Sequence, residues 1–278
     1  MHLVVNARSG SNTGDAIDNV RKQLADAGWA IPRLACFPDD DLPSPEQLDA
    51  EGVDTCAVFA GDGTINALVN TLAGWGGQVL VLPGGTMNLL SKRLHGDLEL
   101  PEILHCFLGG GARRVRPGIA RCPEGSALAG LLAGPGTRWN VVREAMRDLD
   151  LAKATGGFAD AMQETTEGPG ARLAEPEIAA NRPYPLIEIT PGENGLSADG
   201  FHAEDAGDYI AQGWALLRRR FREGPHDRLG VFNRIVLESE DGSDLGLLID
   251  GEPASLASPA TITLAECRVD LLATGHAF

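Results

Sequence analysis

Lysine is scarce in this chain, and the two commonest phosphate-binding motifs are absent. Its 278 residues include only Lys22, Lys92 and Lys153, and none of these follows a glycine. A Walker A loop is therefore excluded, because that motif needs a lysine directly after a glycine. No G-x-G-x-x-G run follows a predicted strand either, so the sequence does not support a Rossmann dinucleotide site.

Long apolar runs are also missing. No stretch approaches the roughly 20 apolar residues that a membrane-spanning helix needs, and the longest run of apolar and small residues, Ala127 to Gly136, is broken by glycines and Pro135. Residues 1–10 are expected to form a strand and a loop, not the basic and apolar regions of a secretory signal. A cytoplasmic location is therefore the expectation.

The cysteines and histidines form no recognisable framework. The five cysteines leave one without a partner and include no C-x-x-C pair, which argues against a disulfide scaffold and against a zinc site. The six histidines are scattered along the chain without the spacing of metal ligands. The sequence therefore leaves any metal ligands unknown.

Positive charge is in deficit, with 23 lysines and arginines against 39 aspartates and glutamates and a net charge of −16. This argues against nucleic acid as a partner, because a phosphate backbone needs a basic footprint. It also opposes tight docking on an anionic membrane and leaves peripheral contact at most. The basic run 218–222 is interpreted either as a solvated helix end or as a headgroup-binding patch. The composition is compatible with a homodimer.

The first half alternates apolar runs of strand length with segments of helical periodicity. Strands are predicted at 2–6, 29–37, 54–60 and 78–82, and helices at 15–27, from Ser44, and at 65–72, 87–94 and 101–108. Strands separated by helix-length segments are typical of parallel βαβ units. We therefore predict an α/β domain with a parallel sheet and flanking helices.

The second half has a different character. Beyond a stretch rich in glycine and alanine at 122–137, strands are predicted at 185–190, 229–238, 245–249, 260–264 and 268–272, with turn residues between them. Helices are predicted at 139–149 and near 203–222. This pattern indicates a mainly antiparallel β domain with helical insertions. We place the boundary near Pro117-Gly118, which gives domains of residues 1–117 and 118–278.

Three loops of the first half follow the carboxyl ends of predicted strands, where open α/β sheets bind ligands. They span residues 6–12, 60–66 and 83–88 and are rich in glycine and asparagine. Glycine lets a backbone approach an anion, and amides at a helix start then bind it. Asp62 lies between two glycines before a helix. Its carboxylate either caps the helix or serves chemistry, as a magnesium partner or a base.

These loops resemble the nucleotide loops of the diacylglycerol kinase catalytic domain family. That family includes bacterial soluble lipid kinases and sphingosine kinases, with the NAD kinases as distant relatives. The resemblance rests on Asn6-x-x-Ser9-Gly10, on Gly61-Asp62-Gly63-Thr64-Ile65-Asn66, on Leu82-Pro83-Gly84-Gly85-Thr86-Met87-Asn88, and on Leu248-Ile249-Asp250-Gly251-Glu252-Pro253, which is similar to the family's D-G-E segment. The order and spacing of the four segments agree with the family.

The resemblance implies an ATP-dependent kinase that uses Mg²⁺ and phosphorylates a hydroxyl of a lipid or lipid-like acceptor. It further implies an α/β nucleotide domain, a β-sandwich-like second domain and an active site between them. The residues that would bind the nucleotide by this likeness are Asn6, Ser9, Gly10, Gly61, Asp62, Gly63, Thr64, Asn66, Gly84, Gly85, Thr86 and Asn88.

The resemblance also implies catalytic roles for Asp62, Asp250 and Glu252. In the diacylglycerol kinase pattern Glu252 would be the general base, whereas the sphingosine kinase pattern gives that role to Asp62. Phosphoryl transfer needs chiefly positioning and charge neutralisation, with one carboxylate accepting the hydroxyl proton, and both residues suit this. Without the other loops, Asp250-Gly251-Glu252 would be interpreted as an ordinary hairpin turn.

Several positions depart from the family's pattern. Ala60 replaces the first glycine of G-G-D-G-T, Ala7 replaces a proline, and Leu89 replaces an aspartate. The region of Cys36-Phe37-Pro38 lacks the threonine that many relatives carry near the adenosine. Two alternatives therefore stay open, namely a nucleotide-binding pseudoenzyme and a kinase of a soluble acceptor such as NAD.

Overall fold

A computed structural model describes residues 1–7, 12–26, 28–30, 33–85, 87–135, 170–178, 182–201 and 226–275. The chain divides into two compact units. The first holds Met1–Pro117 and the segment that begins at Glu266, and the second holds Gly118–Ala265. The helices predicted at 139–149 and near 203–222, and the basic run 218–222, lie outside the described residues.

The helices of the described chain all belong to the first unit. They are α1 (Gly14–Asp26), α2 (Pro45–Ala50), α3 (Asp62–Thr71), α4 (Leu89–His95) and α5 (Leu100–Leu108). Ser44 caps α2 by accepting a hydrogen bond from the backbone N–H of Gln47, with proline in the first turn, as its sequence predicts. None of the described helices is long and apolar enough to cross a membrane.

The strands of the described chain are numbered in order. Those of the first 117 residues are β1 (His2–Val5), β2 (Arg33–Cys36), β3 (Thr55–Ala60), β4 (Gln78–Pro83) and β5 (Arg113–Val115). Those that follow are β6 (Gly118–Cys122), β7 (Gly125–Ala127), β8 (Leu131–Pro135), β9 (Ala171–Glu175), β10 (Leu186–Gly192), β11 (Gly195–Phe201), β12 (His226–Phe232), β13 (Arg234–Ser239), β14 (Leu245–Ile249), β15 (Glu252–Leu256), β16 (Ala260–Glu266) and β17 (Asp270–Ala273).

The first unit is built on a mixed, mostly parallel six-stranded sheet in the order β2-β1-β3-β4-β17-β5. The pairs from β2 to β17 are parallel, and β5 runs antiparallel to β17. Every residue of β3 is buried, as expected of a parallel strand in a sheet with both faces covered. Apolar side chains of α1 and α5 pack in one cluster with those of β1, β3 and β4. The predicted α/β class is confirmed.

The last strand, β17, belongs to the first unit and not to the second domain that the sequence predicts for it. The sequence places Arg268–Leu272 in the second domain, but β17 pairs in parallel with β4, with Asp270 opposite Gln78. Val269, Leu271 and Leu272 are buried, so this segment suits a sheet that is covered on both faces. A short apolar run does not indicate which strand it pairs with. The sequence pattern therefore does not predict that the chain returns to the first sheet at β17.

The second unit is mainly β, as predicted. Its described strands form two sheets, in the orders β12-β11-β10-β8-β14-β15 and β7-β6-β16-β13-β9. One core receives Leu131, Ile189 and Leu247 from the first of these sheets and Leu237 and Ile262 from the second. Two antiparallel sheets that share their buried side chains make a β-sandwich.

One predicted strand of this unit is in fact two. The run Leu229–Glu238 contains β12, which pairs with β11, and β13, which pairs with β16 and β9 in the other sheet. The apolar pattern continues across Asn233, so it does not register the change of sheet. The sequence pattern does not predict the strands β6, β7, β8, β9, β11 and β15, in part because alanine and glycine give a weak strand signal.

The loops that follow β3 and β4 pack backbone to backbone. A Cβ added at Gly85 would lie 2.6 Å from the Cα of Gly61, and one added at Gly84 would lie 2.7 Å from the backbone nitrogen of Ala60. Real Cβ atoms essentially never come closer than 3.0 Å to such atoms. The sequence predicts that these glycines let the backbone approach an anion. In the structure, glycine is also required at both positions because any larger side chain would prevent the two loops from packing together.

His95 joins the end of α4 to the returning C-terminal segment. It is buried, with Nε2 2.9 Å from the carbonyl oxygen of Val81 and Nδ1 2.9 Å from Oγ1 of Thr274. A carbonyl only accepts, so Nε2 carries the proton and Nδ1 accepts from the Thr274 hydroxyl. Burial lowers the pKa of His95 to about 4, against the opposing effect of the Val81 carbonyl.

The contact between the loops predicts that Gly85→Ala destabilises the first unit. The new methyl group must displace the Gly61 backbone, and overpacking of this kind typically costs about 1–3 kcal/mol. Chemical denaturation measures the free energy of unfolding. Gly76→Ala is the matched control, because a Cβ at Gly76 meets nothing within 4 Å, and this change should be neutral or slightly stabilising. Equal stabilities for the two variants would contradict the packing argument.

The neutral imidazole of His95 predicts a stability that depends on pH. Between the ordinary pKa of 6.5 and the folded value of about 4, only the unfolded chain binds the proton. The free energy of unfolding should therefore fall by up to about 3 kcal/mol as the pH is lowered from 7 to 4. Denaturant titrations across this range should show a smaller loss for His95→Gln. The exposed His105, changed to Gln, should keep the full loss; identical profiles for all three proteins would refute the assignment.

Candidate active site

The three predicted loops meet at one edge of the first sheet. Asn6 follows β1, Gly61 follows β3 and Gly84 follows β4. Because β1, β3 and β4 are neighbours and run in parallel, their carboxyl ends lie side by side. In open α/β sheets this edge is where ligands bind.

The first and second loops are joined by an asparagine and a threonine. The Nδ2 of Asn6 donates to Oγ1 of Thr64 over 2.9 Å, and Thr64 lies buried in the first turn of α3. The backbone of Asn6 also donates to the carbonyl of Phe59, at 3.4 Å. Two residues that the resemblance assigns to the nucleotide therefore bind each other across 58 positions of sequence.

Asp62 bridges the second and third loops. It is the first residue of α3, and its Oδ1 accepts a hydrogen bond of 3.2 Å from the backbone N–H of Leu90, near the start of α4. The sequence left open whether this carboxylate caps a helix or serves chemistry. In the structure it caps α4, the next helix along the chain, and a part in chemistry stays a proposal. A negative charge is favourable beside such amides.

Asn88 closes the third loop on itself. Its Oδ1 accepts from the backbone N–H of Gly85 at 2.8 Å, and its Nδ2 donates to the carbonyl of Gly85 at 3.0 Å. Asn88 has a positive φ of 53° as it enters α4, a conformation that asparagine tolerates better than most residues. On α3, the amide of Asn70 donates to the backbone oxygen and Oδ1 of Asn66, which holds that side chain in place.

The D-G-E segment forms a tight hairpin in the second unit. Ile249 of β14 pairs with Glu252 of β15, so Asp250 and Gly251 are the two turn residues. Both have positive φ, 49° and 87°, as a type I′ turn requires, and Asp-Gly favours that turn. Glu252 is exposed at the start of β15, which is an edge strand of its sheet. The hairpin interpretation and the D-G-E resemblance thus describe the same turn.

The carboxylate of Asp250 turns away from solvent and receives three backbone amides. Oδ2 accepts from Leu128 at 2.7 Å, and Oδ1 accepts from Ala129 at 2.8 Å and from Gly130 at 3.0 Å. The backbone N–H of Asp250 donates in return to the carbonyl of Gly130. The side chain is buried. Its charge therefore holds the hairpin tip to the turn between β7 and β8.

Some predicted site residues cannot be placed. Ser9, Gly10 and Thr86 lie outside the described residues. Gly63 lies in the first turn of α3 and is partly buried. Within the described ranges no group of three or more His, Cys, Asp or Glu side chains could hold a metal ion.

The donor chemistry of the sheet edge fits a magnesium-bound triphosphate. The start of α3 presents backbone amides of the kind that bind phosphate, and Asp62 supplies a carboxylate, which Mg²⁺ prefers as a ligand.

Asn12 is a residue of this edge that sequence reasoning did not assign to the site. It is buried although polar, and its amide contacts both β1 and β3 ends. The only sequence signal was its place at the end of the first loop.

The N-terminal part of the chain matches a known family. Residues 1–120 match the family model described as "Diacylglycerol kinase catalytic domain". No curated protein sequence matches the chain.

Two solved structures from Bacillus anthracis str. Sterne share the fold. One is described as a diacylglycerol kinase and has 20% sequence identity and a TM-score of 0.62, covering 98% of this chain and 96% of its own. The other carries the same description provisionally, with 19% identity and a TM-score of 0.62, covering 100% of this chain and 96% of its own. The N-terminal part of this chain, residues 1–120, thus matches the diacylglycerol kinase catalytic domain family, and the chain as a whole shares the fold of these proteins.

Proposed function

We propose that the protein is an ATP-dependent kinase that transfers the γ-phosphoryl group to a hydroxyl of a lipid or lipid-like acceptor. The observation that carries this proposal is the interlocked sheet edge, where the Asn6–Thr64 and Asp62–Leu90 bonds bring three motif loops together. The match of residues 1–120 to a lipid kinase catalytic domain supports it. The hairpin geometry of Asp250-Gly251-Glu252 supports it from the second unit.

The nucleotide is held by backbone amides more than by cationic side chains. Of the three lysines, none lies in the motif loops, whose one cationic residue is Arg8, so the β- and γ-phosphates need chiefly a metal ion to neutralise their charge. The amides at the start of α3 bind phosphate oxygens, and Asp62 holds the metal on the same edge. Bound Mg²⁺ supplies charge neutralisation to the transferring phosphoryl group. The remaining loop residues named by the resemblance, including Ser9, Gly10 and Thr86, belong to the same proposal.

Glu252 is the general base of this proposal. Its carboxylate is exposed, so an acceptor hydroxyl can reach it and give up its proton as the oxygen attacks phosphorus. Asp250, which the resemblance also made catalytic, is already bonded to three backbone amides. We therefore assign Asp250 a positioning role, because its bonds hold the turn on which Glu252 begins.

A nucleotide-binding protein without transferase activity is the second candidate. The observation in its favour is Leu89, the first residue of α4, which stands where the family commonly has aspartate. The change removes a carboxylate from the start of α4, directly after the third loop. Ala60 gives this candidate little support, because its side chain is fully buried at the end of β3 and fits the strand. Turnover of ATP with a panel of lipid acceptors separates the two candidates.

The assignment of the base predicts the kinetics of two carboxylate variants. Glu252→Gln keeps the size of the side chain but cannot accept a proton, so kcat should fall by about 10²–10⁴-fold. ATP affinity should hardly change, since the base acts on the acceptor. Asp62→Asn should instead weaken binding of the magnesium nucleotide, because it removes the metal's carboxylate. Steady-state kinetics and calorimetry with ATP measure the two effects.

Glu193→Gln is the matched control for this experiment, because Glu193 is an exposed glutamate at another hairpin turn of the same unit. Its turnover should equal that of the parent. If Glu252→Gln keeps full turnover while Asp62→Asn loses it with ATP still bound, Asp62 is the base. A parent protein that binds ATP but phosphorylates no lipid acceptor would establish the second candidate instead.

The lack of a motif lysine also predicts a strict need for a divalent cation. Removal of Mg²⁺ with EDTA should abolish turnover, because no lysine of the motif loops replaces the metal's charge. Adding Mg²⁺ in excess of the chelator should restore it. Measuring the rate at constant ionic strength excludes a general salt effect, and full activity in the chelator would refute the proposed role of the metal.

A further inference from the structure

Asn12 is a buried polar residue that no motif covers. Only 4% of its surface is exposed. Its Nδ2 donates to the carbonyl of Phe59 at 2.7 Å and to the carbonyl of Asn6 at 3.1 Å. Phe59 is the second-last residue of β3, and Asn6 directly follows β1. One side-chain amide therefore spans the carboxyl ends of two neighbouring parallel strands.

The other end of the same amide faces the third loop. The Oδ1 of Asn12 is buried and accepts no hydrogen bond from the part of the chain that the structure describes. A Cβ added at Gly84 would lie 2.5 Å from this oxygen and 2.8 Å from Nδ2. The Asn12 side chain thus occupies the space that a side chain at position 84 would need. It contacts all three strand-end loops at once.

The chemistry of the contact requires an amide. The NH₂ group of asparagine has two donors, which match the two carbonyls. A carboxylate of the same shape has acceptors only, so it would face the two carbonyl oxygens with a negative charge. Alanine would leave these buried carbonyls without the side-chain donor, which costs free energy in an apolar interior. Position 12 therefore needs a side chain that donates two hydrogen bonds, and a side chain of the same shape without these donors does not replace it.

We propose that Asn12 is a positioning residue for nucleotide binding, which sets the spacing of the loops after β1, β3 and β4. The inference rests on the proposed function, because it takes these loops as the nucleotide site. Asn12 acts through Asn6, through the backbone before Gly61 and through Gly84. Its loss lets the loops separate and leaves the strands in place. The effect falls on ATP, since the base and acceptor groups belong to other residues.

The test compares Asn12→Ala and Asn12→Asp with the parent in the full chain. Calorimetry with ATP and Mg²⁺ should show the dissociation constant rising by about tenfold or more in both variants, the size of effect that one lost buried hydrogen bond produces. Asn12→Asp should bind ATP no better than Asn12→Ala, although its shape is that of the parent. Near-parental affinity in a folded Asn12→Asp would overturn the proposal, because it would mean that only volume matters.

Thr55→Val is the matched control for the loss of a buried polar contact between strands. Thr55 is fully buried at the opposite end of β3, where its hydroxyl accepts from Gln78 of β4 and donates to Asp54. This variant should lower the melting temperature as the Asn12 variants do, yet keep the parental affinity for ATP. Equal losses of affinity in Thr55→Val would show that general destabilisation explains the effect, and the proposal would fail.

Hydrogen exchange without nucleotide tests the spacing of the loops by Asn12 independently of the proposed function. Peptides covering residues 59–64 and 84–90 should exchange faster in Asn12→Ala than in Thr55→Val at equal temperature. Unchanged exchange in these peptides would overturn the positioning role. If the parent binds no ATP, the proposed function fails. In that case faster exchange in Asn12→Ala supports the loop spacing alone, and the assignment of Asn12 to nucleotide binding is withdrawn.

Discussion

The contact between three strand-end loops is the constraint on which the candidate site depends. The strands β1, β3 and β4 are parallel neighbours, so their following loops leave the sheet at one edge. Each loop is then tied to another, by Asn6 to Thr64, by Asp62 to Leu90 and by Gly85 against Gly61. Without these ties, the loops would carry suitable residues at unrelated positions. These contacts also restrict the sequence, because only glycine fits where Gly85 lies closest to Gly61.

The motif residues Asn88 and Asp250 are hydrogen-bonded to other groups of the protein. Asn88 bonds Gly85 within its own loop, and Asp250 receives three amides from the turn between β7 and β8. In the proposed phosphoryl transfer their part would be to keep the loops and the hairpin in a fixed geometry, because that reaction needs chiefly positioning. Glu252 differs, because its side chain is exposed at a hairpin turn.

Much of the first unit could be predicted because its signals are local. The buried run of β3, the capping Ser44 of α2 and the apolar face of α3 each depend on residues a few positions apart. The candidate loops were found for the same reason, since each follows a strand directly. Asn12 was not assigned, because nothing nearby in sequence shows that its amide is buried against Phe59 and Gly84.

The sequence by itself determined the α/β and β halves, the positions of the motif loops and the Asp-Gly hairpin, whose positive φ angles follow from its two turn residues. Only the tertiary structure decided which distant groups meet. It placed β17 beside β4, the hydroxyl of Thr274 on His95, and the amides of residues 128–130 on Asp250, across 179 positions of sequence in one case and more than 100 in the others. The physical reason is that local conformation depends on near neighbours, whereas these pairings depend on the order of strands in a sheet, which an apolar pattern does not encode.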